Sequence, residues 1–213
     1  MSDKNSPLIL GTEPIGKLLT QYAIPAIIAM TASSLYNMAD SIFIGHGVGA
    51  MGIAGLALTF PLMNLAAAFG SLVGVGASTL VSVKLGQKDY EGANNVLGNV
   101  FMLNLIMGVA FSVVFLLFLD PVLYFFGASE QTISYARDYM RIILYGNVIT
   151  HMYLGLNSVL RSSGYPKMAM FATLLSVVVN CLLNPLFIFV LDWGIKGAAW
   201  ATVFSQLISL IGQ

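Results

Sequence analysis

Charge is what this sequence has least of. Only 8% of its 213 residues are charged against 58% hydrophobic, whereas a soluble domain carries roughly a quarter charged residues. An ordinary water-soluble globule is excluded. Nine basic and nine acidic side chains cancel to a formal net charge of zero, which leaves no electrostatic footprint for a nucleic-acid partner. The one cysteine, Cys181, sits in an apolar run, so there is neither a disulfide framework nor a thiolate metal site. His-Glu-x-x-His and Gly-x-Ser-x-Gly are absent, as are paired acids or histidines inside apolar runs. Catalysis has no visible machinery, and the expectation is a non-enzyme without a cofactor. The N-terminus, with Asp3, Lys4, Pro7 and Pro14 ahead of Lys17, also lacks the layout of a cleaved signal peptide.

What the chain does have is long apolar sequence. Runs of about twenty residues recur, the length a helix needs to cross a bilayer. The pattern predicts an all-α, polytopic integral membrane protein with a cytoplasmic tail at 1–14 and a six-helix lobe over 15–213. Its spans are expected near 19–44, 52–81, 95–119, 136–160, 168–191 and 194–213, with an amphipathic lead-in at 15–21. Gly45–Gly49, Lys84–Asp89 and Arg161–Lys167 read as turns from their Gly, Pro and polar content. Asp120-Pro121 ends the third span, and Ser129 followed by Glu130 reads as the cap of the helix leading into the fourth. Gly70, Gly74, Ala77 and Ser78 predict close helix packing in the second span. Six spans place Lys4, Lys17, Lys84, Lys88, Arg161 and Lys167 on one side and Arg137, Arg141 and Lys196 on the other. That bias favours a cytoplasmic N-terminus in a multi-pass protein. The last span stops without a polar tail, from which a longer parent protein is expected.

One polar run interrupts the first span: Ser33-Ser34-Leu35-Tyr36-Asn37-Met38-Ala39-Asp40-Ser41. On a helix Ser33, Tyr36, Asn37 and Asp40 share one face. An acid in hydrocarbon is costly, so Asp40 is a functional-site candidate by default. It lies ~32 Å along the helix from Leu19 at ~1.5 Å per residue, close enough to the outer boundary that snorkelling to water is the bland alternative. Tyr36 and Asn37, one turn deeper on the same face, favour a functional role.

A second concentration lies in the fifth span, where Thr173, Ser176, Asn180 and Asn184 follow one helical face. Stripes of this kind can simply hold helices together. Asn184-Pro185 is sharper, because Pro185 cannot donate to the Cys181 carbonyl and disfavours helical geometry at the residue before it. The expectation is a bent helix with a free carbonyl beside two amides, a set that with Asp40 suits a hard cation or a proton relay. Pro25 and Pro61 are expected to kink the first two spans. His46 reads as a surface residue and His151 as a packing residue. Met and aromatic side chains adapt to varied apolar cations, and Met63 is placed with Tyr36 and Asn37 in a candidate substrate cavity.

Tyr36-Asn37-Met38-Ala39-Asp40-Ser41-Ile42-Phe43-Ile44-Gly45 resembles the first-helix signature of the multidrug and toxic compound extrusion (MATE) transporters. Lys84-Leu85-Gly86-Gln87-Lys88-Asp89 is similar to the family's loop between helices two and three. Asn157 with Arg161 to Pro166, Asn180 to Pro185, and Gly197-Ala198-Ala199-Trp200-Ala201-Thr202 match later family stretches. The resemblance covers nearly the whole chain and looks closest to the bacterial MepA-type branch. It implies one lobe, the amino-terminal one, of a twelve-helix, two-lobe transporter of a bacterial cytoplasmic (inner) membrane. The partners it implies are lipid, organic-cation drugs and a missing C-terminal lobe.

By motif match, the resemblance places the coupling proton or sodium ion at Asp40, with Asn157, Asn180, Asn184 and Thr202 around it. Some members carry a second carboxylate where this chain has Asn184, so one carboxylate here balances one charge. That leans toward proton coupling with sodium open. Two alternatives stand beside the antiporter: a lipid-linked saccharide flippase, which would need Arg or Lys for pyrophosphate, and a non-transporting membrane fragment that needs a partner lobe.

Overall fold

The computed structural model describes residues 14–213, so the predicted tail lies outside the described residues except for Pro14. Among the described residues all regular structure is helical: α1 (Ile15–Gly47), α2 (Ala50–Gly86), α3 (Tyr90–Leu117), α4 (Leu119–Phe125), α5 (Ile133–Tyr145), α6 (Asn147–Ser162), α7 (Pro166–Pro185) and α8 (Gly194–Ile211). α1, α2, α3, α7 with its extension to Val190, and α8 are each long and apolar enough to cross a membrane. The chain is a multi-pass membrane protein. The lead-in at 15–21 is not a separate element, because α1 runs unbroken from Ile15.

Local chemistry sets the ends. Gly49 adopts φ +90 and Gly164 φ +96, left-handed geometry that reverses the chain after α1 and after α6. Pro166 opens α7 at a position where its missing N–H costs nothing. Asp89 caps α3 by accepting from the Gly92 N–H at 2.9 Å and from Lys84 Nζ at 2.7 Å. The Lys84 ammonium, with the Gly92 N–H second, holds the Asp89 carboxyl below the usual carboxylate range. Arg137 joins α5 to α4 through a paired contact with Asp120 at 2.6 and 2.8 Å.

Three expectations need correction. Ser129 does not cap the next helix; α5 starts at Ile133, and Ser129 and Thr132 close a separate turn through their hydroxyls and main chain. The fourth span is broken, with Gly146 between α5 and α6. Gly146 keeps right-handed dihedrals (φ −84, ψ 0), so the two segments follow on from one another. The Val203 side chain of α8 lies where a Cβ at Gly146 would sit, which accounts for glycine at the break. Finally, the helix passes through Pro185 with helical dihedrals (φ −63, ψ −34) and then widens into a π-helical turn, Leu186–Val190. The Leu191 N–H reaches back five residues to the Leu186 carbonyl at 3.0 Å. The proline's missing donor is answered by re-registering the ladder after it.

The helices pack in two groups. α2, α3 and α6 lie together, as do α1, α7 and α8, and α5 bridges α2 and α8. The main buried cluster joins Leu62 of α2, Tyr139 and Met140 of α5 and Ala198 of α8. Between membrane helices the hydrophobic drive is already spent on insertion, so close packing carries the association. The tightest approach is main chain on main chain. A Cβ on Gly74 would stand 2.6 Å from both the Gly155 Cα and its carbonyl oxygen. Gly74, from the predicted small-residue stretch, is used as the sequence implies.

Candidate functional site

Asp40 lies near the end of α1 and is 5% exposed. Among the described residues it has no cationic partner within ion-pair distance. Its Oδ1 accepts a 2.6 Å hydrogen bond from Asn184 Nδ2 on α7. The same amide nitrogen donates to Asn180 Oδ1 at 2.7 Å, one turn back. Asn180 Nδ2 continues toward Thr202 Oγ1 on α8 at 3.5 Å. Thr202 gives its single proton to the Ala198 carbonyl at 3.1 Å, so in its 2.9 Å contact with Tyr36 the phenol is the donor. A continuous chain of hydrogen bonds thus leads from Asp40 through Asn184, Asn180 and Thr202 to Tyr36, tying α1, α7 and α8 together.

The far end of that chain opens on a cavity. It has a volume of about 470 Å³ and lies between the two packing groups, with Tyr36 and Asn37 of α1 facing Met63 and Asn64 of α2. Thr202 and Gln206 of α8 form a further wall. Gln206 accepts from Thr150 Oγ1 at 2.5 Å. Both Tyr36 and Thr202 therefore belong to the hydrogen-bonded chain and to the cavity wall. No ionisable acid, lysine, arginine or histidine lines this cavity among the described residues. Its polarity comes from amides, hydroxyls and tyrosine rings, and the nearest carboxylate on the chain is Asp40, behind the wall.

Of the residues singled out from sequence, Asp40, Asn180, Asn184 and Thr202 come together, and Tyr36, Asn37 and Met63 line the adjoining cavity. Asn157 does not join the cluster. Its Nδ2 donates to the Ala169 carbonyl at 3.0 Å and its Oδ1 accepts from Arg161 at 3.1 Å. Ala169 lies eleven residues before Asn180 on α7, or ~16 Å along the axis, so the polar capacity of Asn157 is committed elsewhere. Pro25 is buried within α1 and Pro61 is exposed within α2. Sequence reasoning misses Tyr139. Its side chain is fully buried, and its hydroxyl has no hydrogen-bond partner among the described residues. In sequence it is one aromatic among many, and only the packing of α5 against α2 and α8 reveals it. Within the Asp40 cluster Asn184 Oδ1 has no donor, and in the cavity wall the same holds for Asn147 Oδ1.

A family model described as MatE matches residues 25–186. The chain is 31% identical over 195 residues to the multidrug export protein MepA of Staphylococcus haemolyticus, across 92% of this chain and 43% of that protein. It is 28% identical over 198 residues to MepA of Staphylococcus aureus, across 93% of this chain and 44% of the relative. A crystal structure of MATE in the bent conformation superposes with a TM-score of 0.91 at 32% identity, covering 100% of this chain and 47% of that one. An outward-facing multidrug resistance MATE family transporter of the MOP superfamily gives a TM-score of 0.91 at 31% identity, over 99% and 46% of the two chains. The chain therefore spans less than half the length of these relatives.

Proposed function

This chain belongs to the MatE family, and we propose from that premise that it is the ion-coupling lobe of a cation-driven antiporter. The antiporter exports organic cations across a bacterial cytoplasmic membrane, with the N-terminus of this lobe on the cytoplasmic side and a second six-helix lobe completing the pathway. The observation that carries the reading is the hydrogen-bonded chain from the buried acid to the cavity wall. It links a buried acid that demands a small cation to a cavity that admits a larger ligand.

The chemistry runs as follows. A carboxylate with no cationic partner in a dry site costs about several kcal/mol, and uptake of one positive charge removes that cost. A proton suffices, and Asn184 can serve either state of Asp40: its NH2 donates to a carboxylate, and its carbonyl, after a flip of the amide, accepts from a carboxylic acid. That flip removes the donor to Asn180 Oδ1, so Asn180 must also reorient, and the disturbance reaches Thr202 and Tyr36. Sodium is the alternative, taking oxygens from Asp40 and the neighbouring amides and hydroxyl. In either case ion uptake reshapes the wall of the cavity, and a bound organic cation resists that change, so the two ligands favour different states. The cavity offers no lysine or arginine for a pyrophosphate, which counts against a lipid-linked saccharide as cargo.

The test is efflux of a fluorescent organic cation from cells expressing the gene that encodes this chain, under imposed proton and sodium gradients. Asp40→Asn is expected to abolish the response to the gradient. Full gradient-driven efflux in the variant would refute the reading, and the gradient that drives the unmodified protein identifies the ion.

A further inference from the structure

A larger pocket opens at the opposite end of the bundle from the Asp89 cap, where α1 ends and α5 and α8 begin. It has a volume of about 770 Å³ and shares no lining residue with the cavity beside Tyr36. Three aromatic rings line it, Tyr135, Trp193 and Trp200, together with Asp138, Asp192 and Lys196. Lys196 Nζ stands 3.3 Å from Asp138 Oδ2, whereas Asp192 forms no ion pair among the described residues. Two carboxylates against one ammonium leave the pocket with a net charge of −1.

The rings are held in place before any ligand arrives. The Trp193 main-chain N–H donates to the Phe187 carbonyl at 3.0 Å, and its indole packs on the Phe187 ring with centroids 5.3 Å apart. Trp200 stacks on Phe204 at 5.4 Å. Left-handed dihedrals at Asp192 (φ 54) and Gly194 (φ 52) set the turn that presents Trp193 and the Asp192 carboxylate on the same side. A pocket of roughly 300–1,000 Å³ with aromatic walls and a few placed polar groups is of the size that holds small molecules. Indole faces beside an unneutralised carboxylate attract a cation specifically.

We propose that this pocket is a second binding site, selective for flat aromatic organic monocations, separate from the cavity beside Tyr36. Its occupation does not depend on ion exchange at Asp40. The protein carries its own reporter, because Trp193 and Trp200 are the two tryptophans of the sequence and both line the pocket.

The experiment is quenching of tryptophan fluorescence in the purified full chain by 1-methylquinolinium, a contact quencher of indole, with neutral quinoline as the control. Saturable quenching by the cation and only linear, collisional quenching by quinoline is expected. Asp192→Asn should weaken the apparent affinity about fivefold, the factor that ~1 kcal/mol represents for a charge at contact distance in water. Tyr36→Ala and Asp40→Asn should leave the titration unchanged, which separates this site from the ion-coupled one. Trp193→Phe and Trp200→Phe should each remove part of the signal without abolishing saturation. Quenching that never saturates, that ignores both Asp192→Asn and Asp138→Asn, or that is lost in Tyr36→Ala overturns the proposal.

Discussion

The hydrogen bond from Asn184 to Asp40 can be weighed by a double-mutant cycle with Asp40→Asn and Asn184→Ala. At 2.6 Å onto a carboxylate it is a charge-assisted bond, worth about 1.5–3 kcal/mol. The same amide also donates to Asn180 Oδ1, a neutral bond worth about 0.5–1.5 kcal/mol. Asn184→Ala alone removes both and leaves the Asp40 carboxylate without that donor, so the expected destabilisation is about 3–4 kcal/mol. With Asp40→Asn already in place both lost bonds are neutral, and the same truncation should cost about 2 kcal/mol. The coupling of about 1–2 kcal/mol between the two positions measures the charge's share. Asp40→Asn alone should stabilise the fold, because a buried unpaired carboxylate is replaced by a neutral amide. The assay is reversible unfolding in mixed detergent micelles, followed by circular dichroism. Equal costs of Asn184→Ala in both backgrounds, within about 0.3 kcal/mol, would mean that the Asp40 charge does not act through Asn184, and the proposed relay would fall.

Two further outcomes follow from the same geometry. Asn157→Ala should destabilise the protein by about 1–3 kcal/mol, since it removes the bond to the Ala169 carbonyl, which keeps only the Thr173 hydroxyl, and the acceptor of Arg161. Gradient-driven efflux per folded molecule should survive in this variant and be lost in Asn180→Ala, and the opposite ranking would return Asn157 to the ion site. At the α3 cap, the folded Asp89 carboxyl titrates below its ordinary value. Its contribution is therefore fully present above the unfolded value of about 3.9 and is lost as pH falls through the depressed folded value. Thermal unfolding of Asp89→Asn should thus differ from the unmodified protein at neutral pH and converge with it in acid, whereas a constant offset across that range would refute the ionic account.

The parts of this architecture that sequence exposes are those governed by local rules. Apolar length marks the five long helices α1, α2, α3, α7 and α8, and four-residue spacing puts Asn180 and Asn184 on one face. A lone acid at Asp40 inside an apolar run marks its own cost. The rest depends on what arrives from another helix. Asn157 carries a family-like neighbourhood, but its partner is a main-chain carbonyl on α7, which no spacing on α6 discloses. Gly146 looks like any glycine in an apolar helix until Val203 is seen to occupy the space over it. Pro185 announces a missing hydrogen bond, yet whether the helix bends or re-registers is decided by what packs after it. There Gly197 admits the Phe187 main chain so closely that a Cβ would stand 2.8 Å from its carbonyl oxygen.

The approach of Gly74 to Gly155 has a bearing on how such a protein diversifies. A contact made by main chain alone is indifferent to side-chain chemistry elsewhere on the same two helices. α2 and α6 can therefore keep their register while the residues they turn toward the cavity, such as Met63 and Thr150, are exchanged for others. The chemistry of the cavity wall can drift in small mutational steps without each step being a test of folding. The glycine pair itself is the fixed point around which that variation is tolerated.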